Sequence, residues 1–294
     1  MPTITKAVVP AAGIGTRFLP LTKSVPKEML PIVDTPVIQF VIAEAIAAGI
    51  REIHIITSHS KRVIEEHFAP NAALDAFLRA AGKDELVDQL RHITGDADIR
   101  YIHQAEQRGL GDAVRCARDA MGGEPFAVLL GDTIIAPHGG AKAGLAQLVD
   151  VFNEKQASVV SARHVPREWV SRYGILDGKP VDGRDDLIRL RRLVEKPSAD
   201  QAPSDLAIAG RYVFTPRIFE FLEHARAGVG GEIQLTDAMN ALAQVEPFFA
   251  LTWRAKRYDI GNRVDYVRCF VELALGRKDI GDEVRQVLAD LLSE

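Results

Sequence analysis

The sequence predicts an α/β fold, a mainly parallel sheet flanked by helices. Two observations predict it. Short apolar runs alternate with amphipathic segments of helical period through the first half of the chain. The first such run, Ala7-Val8-Val9, empties into a glycine-rich loop, Pro10-Ala11-Ala12-Gly13-Ile14-Gly15-Thr16-Arg17, as strands of parallel sheets do at their carboxyl ends.

The elements follow in order. Residues 7–9 read as a buried strand and 36–48 as a helix stopped by Gly49. A strand at 52–57 precedes a helix at 61–68, and 71–94 carries one or two more helices. A strand at 98–103, a helix at 110–121, a strand at 126–130, a helix at 141–156 and a strand at 158–163 complete the alternation. The second half is more irregular, with strand-like pieces at 188–194, 208–214 and 248–255 among turns and short helices. No Ser/Gly/Pro-rich linker separates the halves, so residues 1–294 read as one domain, with a first part to about 165 and an inserted region beyond it. Two helices at 262–275 and 279–292 have apolar faces that cover the core or meet another subunit. Ligands of such sheets gather outside the carboxyl ends of the strands. The loops beginning at Pro10, His103 and Gly131 are therefore expected to meet in one cleft.

Composition narrows the function. Hydrophobic residues make up 47% and charged residues 26%, an ordinary globular balance. A net charge of −4 argues against nucleic-acid or anionic-membrane partners. No apolar run approaches a membrane span and no signal-peptide pattern opens the chain, so a cytoplasmic location is expected. Cys116 and Cys269 read as buried free thiols in helical segments. The eight histidines, His138 among them, form no metal-ligand spacing.

The loop after the first strand suits a phosphate. Its glycines expose backbone N–H groups, and Arg17 and Lys27 bring two cations beside them. Small residues, free amides and paired cations match a nucleoside triphosphate. A dinucleotide fingerprint is excluded because Phe18 fills the third small position. A P-loop is excluded because no G-K-S/T follows Gly13 or Gly15.

Pro26-Lys27-Glu28-Met29-Leu30-Pro31 follows that loop after a short interval. With this pairing the chain resembles the sugar nucleotidyltransferases, over residues 6 to about 270. The resemblance implies a Rossmann-like nucleotidyltransferase fold with an inserted sugar-binding region. Pro10-Ala11-Ala12-Gly13, Lys27-Glu28-Met29-Leu30-Pro31 and Gly230-Gly231-Glu232-Ile233-Gln234-Leu235-Thr236-Asp237 are similar to the uridylyl-transferring branch. That implies Mg²⁺-dependent transfer from UTP to glucose 1-phosphate. The two C-terminal helices suit a homodimer or homotetramer. Thymidylyl transfer, and a non-catalytic nucleotide-sugar sensor, are the competing readings.

The resemblance also assigns residues. Arg17 holds the leaving pyrophosphate, Lys27 the phosphates at the reacting centre and Lys196 the attacking phosphate. Gly13, Gly15 and Thr16 line the nucleotide, while Gln104 and Gly109 read uracil with backbone from Ala11 and Ala12. Asp132, at the carboxyl end of a buried strand, suits Mg²⁺ and also suits a turn or helix cap. Asp259 in Tyr258-Asp259-Ile260-Gly261 is a second metal-binding aspartate or an N-cap. Glu195, in Glu195-Lys196-Pro197, accepts from sugar hydroxyls. Neighbours on a strand point to opposite faces, so joint use of Glu195 and Lys196 implies a bulge or strand end. Gly174 lets the sugar approach the backbone, and Glu232 helps order its pocket. Thr236 and Asp237 read as helix-capping groups. One departure stands out: relatives often carry histidine after G-L-G, where this chain has Asp112.

Overall fold

The computed structural model describes residues 4–137, 142, 144–253 and 255–293. His138 and parts of the readings at 141–156 and 248–255 lie outside the described residues. In the first half come β1 (Lys6–Pro10), the short β2 (Pro31–Ile32) and β3 (Thr35–Pro36), then α1 (Val37–Ala47) and β4 (Glu52–Thr57). Three helices, α2 (Arg62–Phe68), α3 (Ala72–Ala80) and α4 (Asp84–Arg91), lead to β5 (Asp98–His103). After α5 (Leu110–Arg115) and α6 (Arg118–Met121) follow β6 (Phe126–Leu129), β7 (Thr133–Pro137), α7 (Gly144–Lys155) and β8 (Ser158–His164). The second half holds β9 (Gly174–Val181), β10 (Arg184–Glu195), β11 (Leu206–Phe214), α8 (Ile218–Glu223), α9 (Leu235–Leu242), β12 (Phe248–Thr252) and β13 (Ala255–Asp259). Helices α10 (Arg263–Leu275) and α11 (Gly281–Ser293) close the chain.

Nine strands form one sheet in the order β5-β4-β1-β6-β11-β8-β12-β10-β9. Pairing is parallel from β5 to β6, as the alternation predicts. From β6 onward it is antiparallel except between β8 and β12, so the complete sheet is mixed. One of these antiparallel pairings follows from a short connection. β9 turns back into β10 through the two-residue loop Asp182-Gly183, where Gly183 has φ +75°. An Asp-Gly pair between strand-like runs is a hairpin signal. A further ribbon, β7 with β13, stands apart from the sheet and pairs Thr133 with Asp259.

Strand β1 is apolar without alternation because both sheet faces are covered. Val8 belongs to the core under α5, α8 and α9, and Ala7 and Val9 to the core under α1 and α7. The helix predicted at 110–121 is broken between α5 and α6, and Cys116 sits in that break. It is exposed, contrary to the sequence reading, whereas Cys269 is buried and free. Among the described residues no helix is long and apolar enough to cross a membrane.

One charged group crosses the core. Arg211 on β11 is fully buried. Its Nε and Nη2 donate to Glu44 Oε2 of α1 at 3.0 and 2.7 Å. Nη1 donates to the carbonyls of Gly210 and Leu130, and Nη2 to that of Thr133. The other oxygen of Glu44 accepts from the Leu145 N–H of α7 at 2.9 Å. The pair thus joins two helices to the turn between β6 and β7, which carries Asp132. Removing one member of such a pair strands a buried charge at a cost of about 3–5 kcal/mol. Arg211→Met is expected to lose about that much in urea unfolding, and Arg211→Met/Glu44→Leu to recover most of it. Equal stability of the single variant and the parent would refute this account.

Candidate active site

The glycine-rich loop leaves β1 at the sheet's carboxyl edge and is shaped from below. Ala11 N–H donates to Ile56 of β4 at 2.8 Å, continuing the parallel ladder. Lys61, 6% exposed, then reaches under the loop. Its ammonium donates to the carbonyls of Ala11 and Gly13, both at 2.6 Å, and to Glu28 Oε2 at 2.8 Å. Burial lowers the pKa of Lys61 against the pull of Glu28. Burial likewise raises that of Glu28, opposed by Lys27 and Lys61. Gly15 takes a left-handed conformation, φ +72°, that a side chain would strain. Its carbonyl accepts from Thr22 Oγ1 at 2.8 Å and Phe18 N–H at 3.0 Å. With the carbonyls of Ala11, Gly13 and Gly15 occupied, what the loop offers a ligand is biased toward its N–H groups.

Lys27 points into the same space, its Nζ 2.5 Å from Asp132 Oδ2 and 4.0 Å from Glu28 Oε1. Burial works against the Lys27 charge, but Asp132, Glu28 and Asp259 outweigh it and hold the pKa above the ordinary lysine value. Burial would raise the pKa of Asp132, and the charges of Lys27 and Arg257 turn the shift downward. Asp259, on β13, is brought beside Asp132 by the ribbon, with Ile260 N–H donating to the Asp132 carbonyl at 2.9 Å. Its Oδ1 accepts from Gly261 N–H at 2.9 Å. The N-cap of α10 is instead Asn262, whose side chain accepts from Val264 and Asp265 N–H. Arg17 donates to the Gly261 carbonyl at 3.3 Å.

Gly261 marks where these groups converge. A Cβ there would lie 2.9 Å from Asp259 Oδ1, 3.3 Å from Arg17 Nη1 and 3.6 Å from Asp132 Oδ2. Two carboxylates therefore face a common space. No cluster of three or more His, Cys, Asp or Glu suited to a metal occurs among the described residues. That donor set fits Mg²⁺, which binds few protein carboxylates and fills its shell with water and substrate phosphate.

In the loop after β5, Gln104 is buried and donates from Nε2 to Asp112 Oδ2 at 2.7 Å. Gly109 has φ +111°, and a Cβ there would meet the Ile233 carbonyl at 2.8 Å. Backbone bonds from Gly111 to Ile233 and from Ile233 to Arg108 lace this loop to the segment before α9. That lacing places Glu232 on the same cavity as Gln104 and Gly109.

Gly174 and Glu195 pair across β9 and β10. Glu195 Oε2 accepts from Thr236 Oγ1 at 2.7 Å, so Thr236 orients this carboxylate rather than capping α9, whose N-cap is Gln234. β10 ends at Glu195, and Lys196 has φ +45°. That left-handed turn, unusual for a residue with a Cβ, is the strand end the sequence required.

Most of the predicted residues line adjoining cavities, whereas Ala11, Gly174 and Glu195 line none of the three. Ala12, Gly13, Gln104, Gly109, Asp132 and Glu232 face one of about 480 Å³. Arg17, Lys196 and Asp259 face another of about 730 Å³, with Tyr173 and Arg263. A smaller one holds Gly15, Thr16, Arg17, Lys27 and Asp132 and shares residues with both. The loops beginning at Pro10, His103 and Gly131 do meet. Sequence reasoning missed Lys61, Glu28 and Thr236 as site-forming residues. Glu28 and Thr236 lay inside motifs already noted, but nothing local marks Lys61.

The model of the nucleotidyl transferase family matches residues 6–274. UTP–glucose-1-phosphate uridylyltransferase of Bacillus subtilis (strain 168) is 46% identical over 294 residues, covering 100% of this chain and 99% of that protein. A solved UTP-bound UGPase from Acinetobacter baumannii superposes with a TM-score of 0.90 at 35% identity, covering 98% of this chain and 99% of the other. A UDP-glucose pyrophosphorylase complexed with UDP-glucose gives a TM-score of 0.85 at 36% identity, over 93% and 100% of the two chains. The chain belongs to the nucleotidyl transferase family.

Proposed function

We propose that this protein transfers the uridylyl group of UTP to glucose 1-phosphate, giving UDP-glucose and pyrophosphate. The observation that carries the reading is the convergence of Arg17, Asp132 and Asp259 on Gly261, beside Lys27 and between two cavities. Full-length similarity to the Bacillus subtilis uridylyltransferase supports the choice of substrates.

A phosphate oxygen of the sugar attacks the α-phosphorus of UTP. A new P–O bond forms as the bond to the β-phosphate breaks, and pyrophosphate departs with that electron pair. The nucleophile is already an anion, so no general base is needed. Catalysis then rests on positioning and charge stabilisation. Lys27 faces the reacting phosphates, Arg17 holds the departing pyrophosphate and Lys196 steadies the attacking phosphate. Gln104 and Gly109 take the uracil edge with backbone from Ala12, while the backbone groups of Ala11 are engaged by Ile56 and Lys61. Glu195 accepts from sugar hydroxyls beside Gly174. Asp132 and Asp259 would hold Mg²⁺, which supplies neutralisation of the phosphates when bound. The same reading takes the chain as one domain, supported by a sheet that runs through both halves. It also takes the assembly as a homodimer or homotetramer, supported by the exposed Val287, Leu291 and Leu292 on α11. Light scattering at the monomer mass would remove the oligomer from the proposal.

Pyrophosphate release from the purified protein tests the reaction, with UTP or dTTP against glucose 1-phosphate, with and without Mg²⁺. Release should require the metal and prefer UTP. A preference for dTTP would move the chain to thymidylyl transfer, and no release with either nucleotide would refute the proposal.

Lys27→Ala removes the cation nearest the predicted reacting phosphate and is expected to lower kcat roughly 10²–10³-fold, as lost transition-state charge stabilisation does. Circular dichroism should stay unchanged. A variant with kcat within a factor of two of the parent would remove Lys27 from the chemistry.

A further inference from the structure

The departure at Asp112 has a structural partner. Asp112 lies in the first turn of α5 and is 4% exposed, and Gln104 beside it is 5% exposed. Both carboxylate oxygens are engaged: Oδ1 accepts from Arg115 and Oδ2 from Gln104 Nε2, the latter at 2.7 Å. An ionised carboxylate only accepts hydrogen bonds, so the side of the Gln104 amide that faces it must be the nitrogen. The chemistry therefore fixes which way this amide is turned, independently of how its two similar atoms are assigned. Its oxygen is the acceptor left for the cavity that Gln104 lines with Ala12, Gly13 and Gly109.

We infer that Asp112 is a specificity-determining positioning residue, which sets preference for a uracil base over a cytosine base by holding the Gln104 amide oxygen toward the pyrimidine edge. The inference rests on the uridylyl-transfer reading above. Uracil carries an N–H at N3 and donates to that oxygen. Cytosine carries a lone pair at N3, which meets the same oxygen acceptor to acceptor. A buried acceptor that matches one base and faces a lone pair on the other discriminates more strongly than shape alone. The Arg115 contact keeps the carboxylate from rotating, so the relay runs Arg115, Asp112, Gln104, base. Histidine at this position can present either a donor or an acceptor, and aspartate cannot.

The test compares kcat/KM for UTP and CTP with glucose 1-phosphate, for the full-length parent and Asp112→Asn. Asparagine nearly preserves the shape but offers Gln104 either an oxygen or an NH₂ group, so the glutamine amide is free to turn over. The parent should prefer UTP. In Asp112→Asn the UTP:CTP ratio should fall roughly tenfold or more, with kcat/KM for CTP rising in absolute terms. Loosened packing would lower kcat/KM for both nucleotides by a common factor. An unchanged ratio would overturn the inference. If Asp112→Asn does not fold, Asp112→Ser, whose hydroxyl also both donates and accepts, carries the same expectation. Failure of the parent to turn over UTP would sink the uridylyl reading, whereas a UTP-preferring parent with an insensitive ratio would sink only the role of Asp112. Thymine has the same N3–H, so a parent that prefers dTTP is tested in the same way against dCTP.

Discussion

A buried ammonium holds this site in shape. Lys61 sits beneath the glycine-rich loop and ties the carbonyls of Ala11 and Gly13 to the carboxylate of Glu28. Those carbonyls would otherwise compete for direction in a loop meant to face anions. A charge-assisted bond to a buried cation is strong because water cannot replace it. Glu28 compensates Lys61 and lies 4.0 Å from Lys27, so the structural and the cleft-facing lysine share one counter-charge. Replacing Glu28 would therefore disturb both levels at once.

Arginines play the same part at neighbouring turns. Arg211 takes the carbonyls of Leu130, Gly210 and Thr133, bracketing Gly131-Asp132 from behind. Arg257 donates to the Ala209 carbonyl at 3.0 Å and approaches Asp259 at 3.5 Å. Buried cations thus engage carbonyls of the glycine-rich loop, of the β6–β7 turn and of the middle of β11. The cleft then receives amides, the carboxylates of Asp132 and Asp259, and the side chains of Arg17, Lys27 and Lys196. This division suits a reaction between two phosphates. Their mutual repulsion has to be met by fixed positive groups, and fixed groups need no reorganisation as charge moves.

The elements around Glu195 show how backbone strain and polar contact combine. Glu195 ends β10 with its carboxylate held by Thr236 at 2.7 Å and by Lys196 at 3.3 Å. Lys196 leaves the strand through a left-handed conformation, which costs a residue with a Cβ on the order of 1 kcal/mol. Its N–H donates to the Tyr173 carbonyl at 3.0 Å, which anchors the turn. Without it, Glu195 and Lys196 would point to opposite faces of the sheet. The turn brings Lys196 to the cavity of Arg17 and Asp259 while Glu195 stays with Gly174 and Thr236.

What the sequence made legible was local chemistry. The strand before the glycine loop, the aspartate after β6 and the broken strand at Lys196 each follow from residues within one short window. The parallel strands were readable because apolar runs buried on both faces leave little ambiguity. The ribbon of β7 and β13 was not, since Ala255-Lys256-Arg257-Tyr258-Asp259 has no clean alternation and takes its meaning only from pairing with Thr133–Pro137. β9 was obscured by its own Gly178 and Pro180, residues that ordinarily argue against a strand. Least visible were the partners of buried charges. Lys61 and the carbonyls it holds lie 48 and 50 positions apart, and Arg211 and Glu44 lie 167 apart. A lysine at the start of an amphipathic helix looks like any solvated lysine until the sheet order puts β4 beside β1. Periodicity reports which face of an element is buried. It cannot report which distant carbonyl a buried cation will find there, because topology decides that.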